Sequence, residues 1–335
     1  MNIVKERFPY IDFLRFIGMS LVILAHVNTP SILHQIRCFD VPLMVFVSGL
    51  SYSGKIIQKD LRHFFIPRFC RLLIPVYIFL TIFFLFLVLL GKPLSVTEIV
   101  SSYFLLQQYS IGYVWIIKVF LLIMLATPLL LRFSNRINIK QVLLFTIIVL
   151  LLEDILCRII LPNINGFYIK LFISETIPYI LGYSIVFVLG VKCRYIEKRD
   201  EIINIIMLAA LSIVIFMIHF LTGQSLSLQA FKYPPQSYFL IYGMLVSVIL
   251  WYFRNTKSLS AIIANKFVLF VGRNTIWIYL WHIIFVNIAN RYIDSWFCRY
   301  FIVYISAVFC FYIQYKIVLL FKDRYNLRFL KYLLG

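Results

Sequence analysis

Apolar residues along this chain fill long, nearly unbroken runs, and short polar segments separate them. They neither mark one face of an amphipathic helix nor alternate as in a half-buried strand. About 20 consecutive apolar residues are what a helix needs to cross the hydrocarbon of a bilayer. Ten such runs are predicted: 10–28, 39–54, 71–91, 112–131, 141–161, 172–191, 202–222, 236–253, 268–289 and 299–320. A membrane β-barrel would show short segments of alternating hydrophobicity, which solid runs such as Leu72–Leu90 exclude. The expected fold class is all-α: a polytopic membrane protein, a bundle of about ten transmembrane helices joined as antiparallel hairpins. No repeat, low-complexity tract or long loop interrupts the pattern, so 1–335 is expected to form a single transmembrane domain with no separate soluble domain.

Composition agrees. Hydrophobic residues make up 63% of the 335 and charged residues 13%, and the mean hydropathy is +0.95. Soluble domains are about 45–50% apolar and about 25% charged. The net charge of +19 raises the question of a nucleic-acid partner, and the placement of the charges answers it. Segments on the same side of the membrane as the N-terminus carry Lys5, Arg7, Lys55, Lys59, Arg62, Arg68, Arg71, Arg132, Arg136, Lys140, Lys192, Arg194, Lys198, Arg199, Arg254, Lys257, Lys266, Lys322, Arg324, Arg328 and Lys331. The opposite side holds only Arg37, Lys92, Arg158, Lys170, Lys232, Arg291 and Arg299. By the positive-inside bias both termini are expected in the cytoplasm, and the basicity is a topology signal rather than a nucleic-acid site. The first run contains Asp12 and Arg15 and has no small-residue cleavage site, so no cleavable signal peptide is expected. The six cysteines show no C-x-x-C and no metal-ligand spacing, so no metal is expected.

Charged groups in hydrocarbon cost about 2.5–3.5 kcal/mol each on insertion scales, so those inside the runs mark candidate function. The first run is the densest, Ile11 to His26. Asp12 and Arg15 are three apart and can pair. Arg15 and His26 are eleven apart, close to a whole number of turns, so both project from one face, roughly 16 Å apart along the axis. The same residues also suit a helix-end ion pair and an interhelical histidine bond. Arg68 and Arg71 stand one turn apart where the third run begins, after a loop. Two guanidinium forks at that spacing suit a phosphate or pyrophosphate, and they equally suit an anchor to anionic lipid.

Together these residues resemble the acyltransferase family 3 pattern, that of bacterial membrane acyltransferases that modify sugars. Arg15 and His26 are followed by Pro42–Gly49, then by Arg68-x-x-Arg71 with Leu72 and Pro75. Tyr113-Val-Trp-Ile-Ile with Pro128 is similar to the family's Trp-containing fourth span, and Gly272–His282 to its late Tyr-Leu-x-His span. Met44-Val45 stands where the family often has two aromatics, a packing change. The extra periplasmic hydrolase-like domain of some members is not seen, which points to direct transfer or hand-over to another protein. The resemblance implies a bacterial inner-membrane O-acyltransferase that takes an acyl group from cytoplasmic acyl-CoA, with acetyl-CoA the family's common donor. The acceptor would be a hydroxyl of an envelope or surface polysaccharide, or of its lipid-linked precursor. Arg15, Arg68 and Arg71 would hold the nucleotide phosphates, and the pantetheine arm would run along the first helix toward His26.

A sugar hydroxyl needs its proton removed as it attacks a thioester, and His is suited to that near neutral pH. His26 is therefore expected to act as general base or transient acyl acceptor. Asp12 lies about 21 Å away and cannot orient its ring. Glu153 and Asp154, adjacent in the fifth run, are the expected orienting carboxylates, with a partner role for Arg158 as the alternative. Glu175, near the outer end of the sixth run, is also in range. Glu175, His282 and Trp115 are placed on the acceptor side. His219 is expected to pack, and His34 and His63 carry little signal. A transporter or flippase of the same glycans would also have buried charges, but would favour broken helices and internal repeats, neither of which the sequence displays. A non-catalytic partner in polysaccharide assembly is the other alternative.

Overall fold

A computed structural model describes residues 8–52, 61–325 and 328–334. Ser53 and Gly54, which end the second predicted run, and the basic residues Lys5, Arg7, Lys55 and Lys59 lie outside the described residues. The chain runs through α1 (Pro9–Ala25), α2 (Ser31–Ile36), α3 (Asp40–Leu50), α4 (Leu61–Leu89), α5 (Val96–Tyr103), α6 (Trp115–Arg136) and α7 (Ile139–Ile155). It continues through α8 (Phe167–Cys193), α9 (Lys198–Leu221), α10 (Ser237–Tyr252), α11 (Ser260–Ile263), α12 (Lys266–Arg273), α13 (Thr275–Tyr292), α14 (Trp296–Tyr325) and α15 (Lys331–Leu334). No strand occurs among the described residues.

Helices occupy all ten predicted runs, yet not all are long enough to cross alone. Among the described residues seven stretches are long and apolar enough, and the pair α12–α13 makes an eighth if its two parts are one crossing. The remaining two, α1 and α7, have 17 residues each, about 26 Å of helix, and α7 runs on through the wider turn Leu156–Ile160. The chain is thus a multi-pass membrane protein with seven or eight candidate crossings.

Two expectations need correction. The third span begins at Leu61, not 71, so Arg68 and Arg71 lie inside a helix rather than at a loop's end. Pro67 carries no backbone N–H to give within that helix, and the Arg68 Nη1 donates to the neighbouring Phe64 carbonyl at 2.8 Å. The second correction concerns 268–289, which is not one straight span: α12 and α13 meet at 87° across Asn274. The Asn274 Nδ2 donates to the Phe270 carbonyl at 2.7 Å, so an otherwise unmatched carbonyl at the end of α12 is satisfied and the helix stops there.

The core is a packing of α3 on α8, with α1, α6 and α10 around them, while α9 and α14 present long apolar faces outward (Ile213, Phe220, Ile305 and Phe309 among them). The contact of α3 with α8 is so close that a Cβ on Gly49 would fall on the Phe187 carbonyl, and one on Gly190 on the Phe46 carbonyl. In hydrocarbon, helices associate by such backbone approach rather than by the hydrophobic effect. Gly190→Val is expected to cost at least the ~1–3 kcal/mol of an overpacked core. It would show as a lower unfolding temperature in detergent, and an unchanged transition would disprove the approach.

Candidate active site

On α1, Arg15, Met19, Val22 and His26 follow at intervals of four, three and four, a single stripe along the helix. The stripe faces two adjoining cavities. The first, of about 540 Å³, is lined by Arg15, Met19 and Val22 of α1, by Ser48 and Ser51, by Arg68 and Arg71 of α4, and by Arg273 with Thr275 and Ile276 at the α12–α13 break. The second, of about 210 Å³, is lined by Val22 and His26, with Trp115, His34, Arg37, Asp40, Lys232 and Tyr233. Val22, Ile116 and Tyr279 belong to both walls.

The first cavity is built for an anion. Among the described residues four guanidiniums line it and no carboxylate does. Asp12, fully buried behind the wall, braces two of them: Oδ1 accepts from Arg15 Nη1 at 3.1 Å and Oδ2 from Arg273 Nε at 3.0 Å. Arg15 Nη2 also donates to Ser51 Oγ at 2.8 Å, which fixes its fork. The Arg68 guanidinium lies over the Phe64 ring, 4.1 Å from its centroid, and Arg71 stands one turn on. The break at Asn274 adds the N-terminus of α13, whose first residues Thr275 and Ile276 reach the cavity and which no side chain caps. Unpaired N–H groups and the helix dipole favour negative charge there.

The second cavity holds the imidazole. His26 ends α1, and its backbone carbonyl accepts from Asn290 Nδ2 at 2.9 Å. The Nδ1 lies 2.8 Å from the Val22 carbonyl. That oxygen only accepts, so Nδ1 carries the proton and Nε2 the lone pair. His282, fully buried, bonds through Nδ1 to the Tyr279 carbonyl, so its Nε2 is an acceptor. This Nε2 lies 3.4 Å from His26 Nδ1, a long, shared contact with the same proton. The Tyr113 ring packs on both imidazoles, 4.9 Å from His26 and 6.1 Å from His282 between centroids, and the Tyr279 hydroxyl donates to the Tyr113 carbonyl.

The structure therefore brings Arg15, Arg68 and Arg71 together, joins His26 to His282, and sets Trp115 in the wall beside them. Three assignments change. Glu153 is buried against Gly182, its Oε2 3.9 Å from the Cys157 thiol. Asp154 accepts from Ser237 N at 3.2 Å and Oγ at 2.7 Å and lies 3.8 Å from Arg158. Neither orients His26, because α7 packs on α8 and α10 rather than on α1; the neighbour His26 does have is His282. Glu175 lies outside both cavity walls. It pairs with Lys118 and accepts from the backbone of Gln107 and Gln108 at 3.0 and 3.2 Å, fastening the loop whose Gln107 lines the second cavity. His219 packs, between Phe231 and Tyr238.

Arg273, Tyr279, His34, Arg37, Asp40 and Lys232 were not singled out from the sequence. Arg37 and Lys232 count there as outer-loop charges but are 2% exposed. The one available signal was Arg37-x-x-Asp40, the reverse of the Asp12-x-x-Arg15 spacing; nothing local marks Lys232.

Residues 8–316 match the profile of a family described as an acyltransferase domain. No curated protein and no solved structure matches the chain. An all-helical membrane fold matched over nearly its whole length, with the arginine and histidine motifs gathered on two joined cavities, places the chain in acyltransferase family 3, to which it belongs.

Proposed function

We propose that the protein is an inner-membrane O-acyltransferase that moves an acyl group, acetyl in the first instance, from cytoplasmic acyl-CoA to a hydroxyl of an envelope or surface polysaccharide or its lipid-linked precursor. The observation that carries this reading is the stripe on α1, which leads from the four-arginine cavity to the paired imidazoles of His26 and His282. The residues present fit the donor: guanidinium forks and a helix N-terminus match phosphate and pyrophosphate. An arm reaching from Arg15 to His26 has roughly 16 Å to cover. Acyl-CoA supplies the thioester when bound. Arg15, Arg68, Arg71 and Arg273 hold its phosphates, and Val22, Ile116 and Tyr279 frame the passage toward His26.

At the far end His26 Nε2 takes the proton of the acceptor hydroxyl as its oxygen attacks the thioester carbonyl. Protonated His26 is held by the Nδ1–H bond to the Val22 carbonyl and by His282 Nε2. When the carbon–sulfur bond breaks, His26 returns the proton to the departing sulfur. An ester and a free thiol form with no net proton change. We further propose a single domain crossing the bilayer ten times, with α1 and α7 as the short crossings and both termini cytoplasmic.

The break at Asn274 is the observation that favours a transporter, since broken helices are characteristic of that class. It lies beside Asp12, in the first turn of α1, rather than at mid-depth, and it serves the arginine cavity. Incubating membranes that contain the protein with isotope-labelled acetyl-CoA is expected to place label in a glycan fraction through a base-labile ester. Membranes that translocate glycan but acquire no label would overturn the enzymatic reading.

A further inference from the structure

Resting on the acyl-transfer reading above, we infer that the acceptor carries an anionic group, a carboxylate or a phosphate, which seats against Arg37 and Lys232 beside the hydroxyl that is acylated. The second cavity has two cations against a single carboxylate. Arg37, Asp40 and Lys232 are each 2% exposed. The Asp40 carboxylate accepts from Arg37 Nη1 at 2.9 Å and from Lys232 Nζ at 3.2 Å to each oxygen, so its charge is spent on both. Arg37 Nη2 turns to His34 Nε2 at 2.9 Å, a neutral partner, and Arg37 Nε is buried with no hydrogen-bond partner. A surplus positive charge is thus held out of water with a donor unmet, an arrangement that is costly unless a counter-charge completes it.

The donor does not supply that charge. It arrives through the wall that the two cavities share, and its phosphates belong to the arginines of the first. The cluster lies past His26, where the acceptor must sit. The remaining walls suit a sugar: Trp115 and Tyr233, packed edge to face on each other with centroids 4.8 Å apart, give an aromatic wall, and Gln107 and Gln229 give amides.

The test is equilibrium binding to the detergent-solubilised protein of methyl β-glucuronide, glucose 6-phosphate and the neutral methyl β-glucoside, read by thermal shift. At least one acidic sugar is expected to bind about tenfold or more tighter than the neutral one, the scale of one charge-assisted contact. The tighter of the two tells carboxylate from phosphate. The preference is expected to persist in Arg68→Ala/Arg71→Ala and to vanish in Arg37→Gln, which leaves a neutral Lys232–Asp40 pair and keeps an amide to meet Asp40. Equal binding of all three sugars by the wild-type protein, or a preference lost with Arg68 and Arg71, overturns the inference. Because no acyl transfer is read, an anion site that binds while labelled acetyl-CoA gives no product would sink the enzymatic reading and leave the site standing.

Discussion

His26→Ala is expected to reduce acyl transfer by about 10²–10⁴-fold, the contribution of a positioned general base, with the protein still inserted and folded. The size of the effect follows from geometry. The Nδ1 proton is committed to the Val22 carbonyl at 2.8 Å, so Nε2 is the basic nitrogen, and no other side chain in the second cavity combines a free lone pair with a place on the Arg15 stripe. The substitution removes a ring at the end of α1, where the backbone carbonyl keeps its bond from Asn290, so the helix end should survive. Two controls separate chemistry from folding: the thermal transition in detergent, and binding of CoA, whose arginines lie a cavity away. Both should match the wild type. His282→Ala acts only through His26, as a positioning residue, and should cost about tenfold, the loss of one ordinary hydrogen bond. It should also shift the limb of the pH–rate profile that His26 sets. Unchanged acyl content of the purified glycan from a strain carrying His26→Ala would instead make the protein a non-catalytic partner.

How far the sequence discloses this site depends on whether the relevant contacts are local. Arg15 and His26 are eleven apart on one helix, and helical periodicity alone sets them on a common face. Arg68 and Arg71 were legible as a pair for the same reason, although their helix begins ten residues before hydropathy places it, because Arg62, His63 and Pro67 depress the apolar signal. Glu153 and Asp154 stood out because carboxylates in an apolar run are rare. Rarity says that a group has partners without saying which, and the partners proved to be α8, α10 and Arg158. What could not be read was every contact across the fold: Arg273 on Asp12 over 261 positions, Lys232 on Asp40 over 192, His282 on His26 over 256. A charge in a short polar segment looks exposed, and only the packing of α3 beside the loop before α10 shows that Arg37 and Lys232 are buried.

Removing Arg68 and Arg71 together is expected to weaken CoA binding by about 10–150-fold for each guanidinium that meets a phosphate, since hydrogen bonds to charged groups contribute about 1.5–3 kcal/mol. The double variant should fold: the two residues face a cavity, and among the described residues Arg68 gives its helix one side-chain bond, to the Phe64 carbonyl. Arg15 and Arg273 differ, because each also braces Asp12, a fully buried carboxylate. Taking either away removes one brace of that buried charge, so Arg15→Ala should lower stability as well as affinity. Comparing CoA, dephospho-CoA and pantetheine on detergent-solubilised protein resolves the cavity further. An arginine that holds the 3′-phosphate should lose its effect when that phosphate is absent, and one that holds the pyrophosphate should lose it only with pantetheine. The affinity should also fall with salt, since four guanidiniums and a helix N-terminus act on the ligand. If Arg68 and Arg71 are lipid anchors, the double variant binds CoA as the wild type does and loses only its preference for anionic bilayers. The four-arginine cavity then has to be filled by something other than a nucleotide, and the stripe on α1 no longer connects a donor to His26.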